Sequence, residues 1–456
     1  MAACFVTSGA LVGSATAAVG KTAVRGPLPR DVRLFWCASA ADALGSQASG
    51  VVLPLLLLGL GYSAATVGLV AGVSTAAGLL LAPLAAVPAD RGARKTVMLW
   101  SAMVSALAMG GVAVAAAAGR PPLTLLLGAV LVERFSTAVY EAAAAGTVAL
   151  IAPPADSPRV VAGLTAADQG ALVVGPALGG ALYQASRALP FVADALSYTV
   201  AAVCVGALKS DLRPGEQALR ETPGPPPGKA PQASGHAASP AAPSPADPRR
   251  SRPRGAALRA ELGAGLALVR TSPFLRLVLI WTATVNGVIV ALYYGAVFTL
   301  QKSGDGGTPM GLVLALSGAA GLVGSLAAPR VVGRIGAARL LVTVSWLLVP
   351  LAAALASAEG PWAYGALFGV FCLLMPLVTV VLQSRAIQET PPALQARTGA
   401  VLATAVGGSA ALAPVLAGVC AARAGTAAPA VASAAVLTLL ACWTTYVRIP
   451  ARGAAV

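Results

Sequence analysis

Charge is what this 456-residue chain has least of. Asp, Glu, Lys and Arg make up 10% of it, against about 25% in an average soluble domain, so a water-exposed globule of this size would lack polar surface. Histidine is nearly missing. His236 stands alone in a Pro/Ala/Ser-rich segment, which removes most histidine-dependent catalysis and most zinc sites. The six cysteines, Cys4, Cys37, Cys204, Cys372, Cys420 and Cys442, are widely spaced and form no CxxC. Five lie in apolar stretches, where a free thiol acts as a small hydrophobe rather than a disulfide or metal partner. There is no GxxxxGK[ST], so direct drive by ATP is unsupported. No Cys/His or multi-carboxylate constellation is visible along the chain, and neither an enzyme nor a metal or other cofactor is expected. Residues 1–30 have no basic stretch ahead of an apolar one and read as part of a cytoplasmic tail, not a cleaved signal peptide.

What the chain does have is apolar length. It is 57% apolar with a mean hydropathy of +0.80, which excludes disorder. Nucleic-acid binding would account for the net charge of +15 but not for that hydropathy. Runs of roughly 20 apolar residues, enough to cross a bilayer core, fall near 34–60, 65–88, 96–118, 122–145, 163–184, 189–208, 273–299, 309–328, 339–357, 362–384, 396–421 and 428–447. The sequence therefore predicts an all-α membrane protein of twelve transmembrane helices. With both termini on the inner side, 26 of the 31 Lys and Arg residues fall inside, only Arg120, Arg187, Lys302 and Arg423 fall outside, and Arg134 lies within a span. That bias sets the orientation by the positive-inside rule and points to a bacterial cytoplasmic membrane, as does an Arg-rich, Ala/Gly-rich composition.

The spans divide six and six. A 1–33 tail precedes an N-terminal six-helix bundle (34–208), a 209–272 linker, a C-terminal bundle (273–447) and a 448–456 tail. The linker's Pro, Ala, Ser and Gly cannot bury a core. Its Arg249, Arg250, Arg252 and Arg254 either meet anionic headgroups, at about 1 kcal/mol per charge, or simply serve as solvated inner-side charge. A weak internal repeat relates the halves: GPALGG (175–180) resembles APVLAG (413–418) at an offset of 238, and STAAGLL (74–80) resembles SGAAGLV (317–323) at 243. Parallel six-helix repeats of this kind belong to the major facilitator architecture.

The chain resembles the major facilitator superfamily over nearly its whole length, and within it the bacterial drug and siderophore (enterobactin exporter-like) efflux branch. The residues that carry the resemblance are DRGARK (90–95), VYEAAAAGTVALIAP (139–153), GPALGG (175–180), FVADALSY (191–198) and LQSRAIQETPPALQARTGAV (382–401). Ala86, Gly92 and Ala142 depart from the family pattern. The resemblance implies alternating access, with the first, fourth, seventh and tenth spans lining the cavity.

An ionisable group at mid-membrane costs roughly 2.5–3.5 kcal/mol on insertion scales. Asp42 in the first span and Glu133 with Arg134 in the fourth all lie about 12 Å from the inner end, and are the proton-coupling candidates. A carboxyl group holds its proton more tightly when desolvated and less tightly beside a guanidinium, so a moving arginine makes a switch. The alternative is a static ion pair joining the two spans. Both repeat offsets place uncharged residues opposite all three. The resemblance makes Asp90, Arg91, Arg94, Lys95 and Glu141 an inner gate, with Arg94 able to pair with Glu141. Gly175, Pro176, Gly179 and Gly180 form the fifth-span hinge, an element that resembles the antiporter motif. Asn286 and Tyr293, seven apart on one face, and Gln383 are candidates for the substrate wall. Asp194 and Asp168 read as packing or capping groups. The expected activity is proton-coupled efflux of a small amphipathic compound by a monomer, driven by the proton motive force. An importer or facilitator of the same fold, or a non-transporting sensor or scaffold, are the alternatives.

Overall fold

The computed structural model describes residues 28–90, 94–119, 121–145, 147–152, 156–210, 266–302, 307–391 and 394–447, and the side chains of 83–90 stand outside that description. Apolar runs bounded by Gly, Pro or charge become twelve long helices: α1 (Arg30–Gly59), α2 (Ala64–Asp90), α3 (Arg94–Ala117), α4 (Leu123–Ala145), α5 (Ser157–Ala185), α6 (Leu189–Gly206), α7 (Pro273–Lys302), α8 (Thr308–Ile335), α9 (Ala337–Leu355), α10 (Gly360–Glu389), α11 (Gln395–Ala424) and α12 (Ala428–Tyr446). All twelve are long and apolar enough to cross a membrane, and no strand occurs among the described residues. Large apolar side chains are exposed along most of these helices, Leu80, Leu107, Val114, Leu412, Leu416 and Leu439 each by more than 60%. Such a surface is suited to acyl chains, and in that solvent a helix is the simplest way to satisfy every backbone polar group. Residues 30–33, expected in the tail, open α1, while the 249–254 arginines, His236, residues 1–27 and the 448–456 tail lie outside the described residues.

Twelve crossings put the start of α1 and the end of α12 on one face, called here the terminal face; the α1–α2, α3–α4 and α5–α6 turns lie on the opposite loop face. Each half packs by the same plan. In the first, α1 rests on α5 and α6, α3 on α4 and α6, and α2 on α4; in the second, α7 rests on α11 and α12, α9 on α10 and α12, and α8 on α10.

The halves meet along two seams, α5 with α8 and α2 with α11, and glycine decides how closely. A Cβ placed on Gly311 would lie 2.4 Å from the Pro176 carbonyl oxygen, and one on Gly180 would lie 2.5 Å from that of Gly307. In the other seam a Cβ on Gly68 would lie 2.1 Å from the Pro414 oxygen, and one on Gly418 2.4 Å from the Ala64 oxygen. These are one contact made twice. Pro176 and Gly180 sit 238 residues before Pro414 and Gly418, and Gly68 sits 243 before Gly311, so the two repeat offsets are the two sides of the duplicated seam. Gly307 also takes φ +85° where α8 begins, a left-handed conformation that costs a residue with a side chain about 1–2 kcal/mol.

Both seams lie in the loop-facing halves of their helices. So does the hydrogen bond from Thr308 to Gln184, which joins the bundles. The cleft between the bundles therefore opens toward the terminal face.

Candidate functional site

Three helices of the N-terminal bundle each turn a polar stripe toward the same place. On α1, Asp42, Ser46 and Ser49 are four and seven residues apart and share a face. Glu133 and Thr137 do the same on α4, and Asp194, Ser197 and Tyr198 on α6. Gly45 lets the stripes meet, since a Cβ there would lie 1.9 Å from Ser197 Oγ and 2.6 Å from Asp194 Oδ1.

Glu133 is 5% exposed and well supplied with donors. Its Oε1 accepts from the Tyr198 hydroxyl at 2.7 Å and from Thr137 at 3.1 Å. Its Oε2 lies 3.4 Å from Arg134 Nε. The Tyr198 hydroxyl also stands 3.0 Å from Ser46 Oγ. Arg134 is 42% accessible although protein surrounds it, which places its guanidinium on the wall of the cleft. Its charge is felt by Tyr294 on α7, in the opposite bundle.

Among the described residues the charges that act most on Asp42 are those of Glu141, Asp194, Glu133 and Asp168, all of its own sign. Asp194 is 1% exposed, accepts from the Ser197 hydroxyl at 3.4 Å, and leaves Oδ2 buried without a partner. The structure thus brings Asp42, Glu133, Glu141 and Asp194 near enough to act on one another, with Asp168 acting on Asp42 and Glu141, while Glu133 is the carboxylate in contact with Arg134. This is the multi-carboxylate constellation that spacing along the chain does not reveal. Among the described residues no group of three or more His, Cys, Asp or Glu is arranged to hold a metal.

The expected Arg94–Glu141 pair is not formed. Glu141 follows Arg134 by two helical turns and so looks along the same face of α4, where its charged neighbours are Arg134, Asp168 and Glu133. Lys95 Nζ donates to the Leu208 carbonyl at 2.5 Å, at the C-terminus of α6 where a cation suits the helix dipole. Asp31 completes that junction by accepting from the backbone N–H of Lys209 and Ser210. Asp90 and Arg91 lie outside the residues whose side chains are described.

The GPALGG element serves two surfaces. Gly175 and Gly179 pack on α1, where a Cβ would lie 2.5 Å from Gln47 Cβ and 2.2 Å from the Ala48 oxygen. Pro176 and Gly180 face α8 across the seam. On α7, Asn286 and Tyr293 are 7% and 8% exposed, buried in their own bundle. Gln383 is half-buried on α10. Tyr294, one residue on and packed edge-on against Tyr293 with ring centroids 5.0 Å apart, is the residue that senses Arg134; its position beside Tyr293 is the signal by which the sequence could have found it. Cys37 on α1 and Cys204 on α6, 167 residues apart, are free thiols near enough to act on one another. A groove of about 480 Å³ between α3 and α4 is lined by Trp100, Val104, Val132 and Phe135. It faces outward, away from the carboxylates.

Comparison with known proteins places this geometry. No curated protein matches the chain by sequence. Among solved structures, the nucleoside transporter NupG superposes with a TM-score of 0.64 at 14% identity, covering 92% of this chain and 99% of that one. A bacterial homologue of the human lysosomal transporter Spinster, inward-facing and unoccupied, gives 0.64 at 15% identity over 92% and 97%. The human organic anion transporter MFSD10 gives 0.57 at 18% identity over 92% and 100%. At these identities the likeness is one of fold. A family model, Major Facilitator Superfamily, matches residues 35–414. Together with the twelve spans and the twice-made seam, that match assigns the chain: it is a transporter-fold membrane protein belonging to the Major Facilitator Superfamily.

Proposed function

We propose that this chain is a secondary active transporter that exports a small amphipathic compound (a drug, siderophore or natural product) in exchange for protons, by alternating access. The observation that carries the reading is the Glu133–Arg134 ion pair buried in the N-terminal bundle, with Asp42, Glu141 and Asp194 near enough to act on Glu133 or on one another. Like charges this close in a medium of low dielectric are costly to ionise together. A movement that shifts Arg134 relative to Glu133 and Glu141 therefore changes how many protons the group holds. The cation census makes the terminal face cytoplasmic, and the conformer then faces inward. Separation of Arg94 from Glu141 fits a latch that engages only when the cleft faces out. Each proton entering down one pH unit supplies about 1.4 kcal/mol, and about 2.3 kcal/mol more per 100 mV. No cofactor enters this scheme, and both walls of the cleft come from one chain, which suits a monomer in the bacterial cytoplasmic membrane. Efflux rather than uptake rests on the resemblance of GPALGG and its companion motifs to the exporter branch.

The test is proton-driven uptake into inverted membrane vesicles, screened over a panel of amphipathic cations, catecholates and neutral compounds. At least one compound should accumulate on acidification of the lumen and be released by a protonophore. Glu133→Gln and Asp42→Asn should each lower that accumulation at least tenfold while the protein still reaches the membrane as a monodisperse species. Full ΔpH-driven accumulation in both variants, or no accumulation of any compound by the wild type, would overturn the reading.

A further inference from the structure

The two oxygens of Glu133 look in different directions. Oε2 lies 3.4 Å from Arg134 Nε, while Oε1 accepts from the Tyr198 hydroxyl at 2.7 Å and from Thr137 at 3.1 Å. The Tyr198 oxygen in turn stands 3.0 Å from Ser46 Oγ and 3.3 Å from Thr137 Oγ1. One phenol oxygen, on a side chain that is 2% exposed, therefore ties α6 to both α1 and α4. A phenylalanine ring would fill the same space, so packing alone does not call for the hydroxyl.

Counting hydrogens shows what that oxygen does. An ionised carboxylate only accepts, and a tyrosine hydroxyl has one hydrogen to give. With Glu133 ionised, Tyr198 gives that hydrogen to Oε1 and can only accept from Ser46. A hydrogen bond to an ionised group is roughly twice as strong as one between neutral groups. Thr137 holds the same oxygen, so the carboxylate is fixed with Oε2 toward Arg134. When Glu133 takes a proton on Oε1, the acid becomes a donor to Tyr198. The phenol then turns its hydrogen to Ser46 Oγ, and Ser46 turns its own to the Asp42 carbonyl one turn back, a bond open to a helical serine. Each hydroxyl keeps its hydrogen, and the one proton gained is on Glu133. We propose that Tyr198 is the positioning residue of Glu133: its hydroxyl holds the carboxylate toward Arg134 and, once the carboxylate is protonated, reverses its hydrogen bond to Ser46, so that α1 receives the change. The inference rests on the proton-coupled reading and adds a link, from the proton site to the helix that carries Asp42 and packs on α5.

The charged and titratable groups near enough to act on Glu133 come from three helices. Arg134 and Glu141 share α4 with it, Asp42 comes from α1, and Asp194 and Tyr198 come from α6. From α5, Asp168 acts on Asp42 and Glu141. Of the helices packed on α4, α2 carries no charged residue over 64–82, and the charged residues of α3 are Arg94 and Lys95 at its far terminal end. The other carboxylates influence whether Glu133 holds a proton. Its orientation is set by Tyr198, Thr137 and Arg134, the groups it touches.

The experiment is spectroscopic and needs no cargo. Full-length protein with isotope-labelled tyrosine rings, in lipid nanodiscs, is stepped from alkaline to acidic buffer while infrared difference spectra are recorded. Glu133→Gln should remove one carboxylic C=O band, and Tyr198→Phe one shifting phenol C–O band. In the wild type the C=O band should appear and the phenol band move over the same pH interval; in Glu133→Gln the phenol band should stay still. Tyr198→Phe keeps the ring and should move the Glu133 C=O band to higher frequency, because that group has lost its partner. Ser46→Ala should reduce the phenol shift by at least half and keep the Glu133 band. A residue that only packs would do none of this. If no C=O band depends on Glu133, if the phenol band moves in Glu133→Gln as in wild type, or if Tyr198→Phe leaves the C=O band in place, the link does not exist. Should Tyr198→Phe fail to fold, Glu133→Gln and Ser46→Ala decide by themselves. A phenol band stilled by the first and halved by the second belongs to the tyrosine bonded to Ser46, and a band that neither alters overturns the proposal. Coupled bands in a wild type that never accumulates cargo in inverted vesicles would defeat the transport reading and leave the role of Tyr198 standing; accumulation without coupled bands would do the reverse.

Discussion

Replacing Gly311 by valine tests how the loop face is sealed. The first added carbon alone would stand 2.4 Å from the Pro176 oxygen and 3.2 Å from the Cα atoms of Ala177 and Gly180. A carbon–oxygen contact settles at about 3.3 Å, so α5 and α8 must part by about 0.9 Å at that point. The obstructing atoms are backbone on a helix and cannot rotate aside. Overpacking of this kind costs about 1–3 kcal/mol, and here it falls only on the conformer in which α5 and α8 touch. The ratio of loop-closed to loop-open molecules should therefore fall by about 5- to 150-fold. Pulsed electron resonance between spin labels at Ser186 and Lys302, both exposed beside the seam, reads that ratio in a background where the six native cysteines are replaced. Gly311→Val should populate a longer distance that is minor in the wild type. Gly110→Val, where an added carbon meets nothing within 4 Å, should leave the distribution alone. An unchanged distribution in Gly311→Val, or an equal change in Gly110→Val, would refute the reasoning.

Further outcomes follow from other contacts. Gly68→Val should reproduce the Gly311→Val shift in direction and size, because its carbon would meet the Pro414 oxygen at 2.1 Å; a shift in one and not the other would break the equivalence of the seams. Lys95→Ala should lower the melting temperature by a few degrees, consistent with about 1 kcal/mol for a partly exposed hydrogen bond from a cation, and leave transport intact. A change in which face the cleft opens to would return Lys95 to the gate. Gly163→Val should reduce the yield of folded protein several-fold, since its carbon would lie 2.3 Å from the indole of Trp36, itself fixed by a 3.0 Å hydrogen bond to the Val160 carbonyl. A normal yield on size-exclusion chromatography would show that α1 and α5 can shift.

The bilayer makes much of this fold legible in one dimension. A helix that must face acyl chains has to be apolar for its whole crossing, so α1 to α12 stand out as runs, and the departures from apolarity at Asp42, Glu133 and Arg134 stand out against them. Asp194 departs from apolarity just as much. Inside a recurrent four-residue motif it suggests packing rather than charge, although Ser46 and Ser49, on the face of Asp42, already mark a polar stripe that something on a neighbouring helix has to meet. Glu141 shows a different limit. Its proximity in motif to Arg94 says nothing of which side of α4 it occupies, whereas its spacing of seven from Arg134 does. The nearness of Cys37 to Cys204 and the choice of Tyr294 over Tyr293 depend on the rotation of one helix against another, to which a hydropathy pattern is nearly blind. The repeat is the opposite case: two offsets that differ by five look like an inconsistency along the chain and become, in space, the two partners of one contact.

Among the described residues the glycine contacts of the seams involve no ionisable atom. Glycine Cα carbons rest on carbonyl oxygens, and the hydrogen bond beside them joins an amide to a hydroxyl. Neither acid nor salt has a handle on such a closure. Those contacts are then a passive stop, set by backbone shape and not by charge. Conditions that alter protonation should move this protein between its two states through one place alone, a design in which sensing and sealing are kept physically apart.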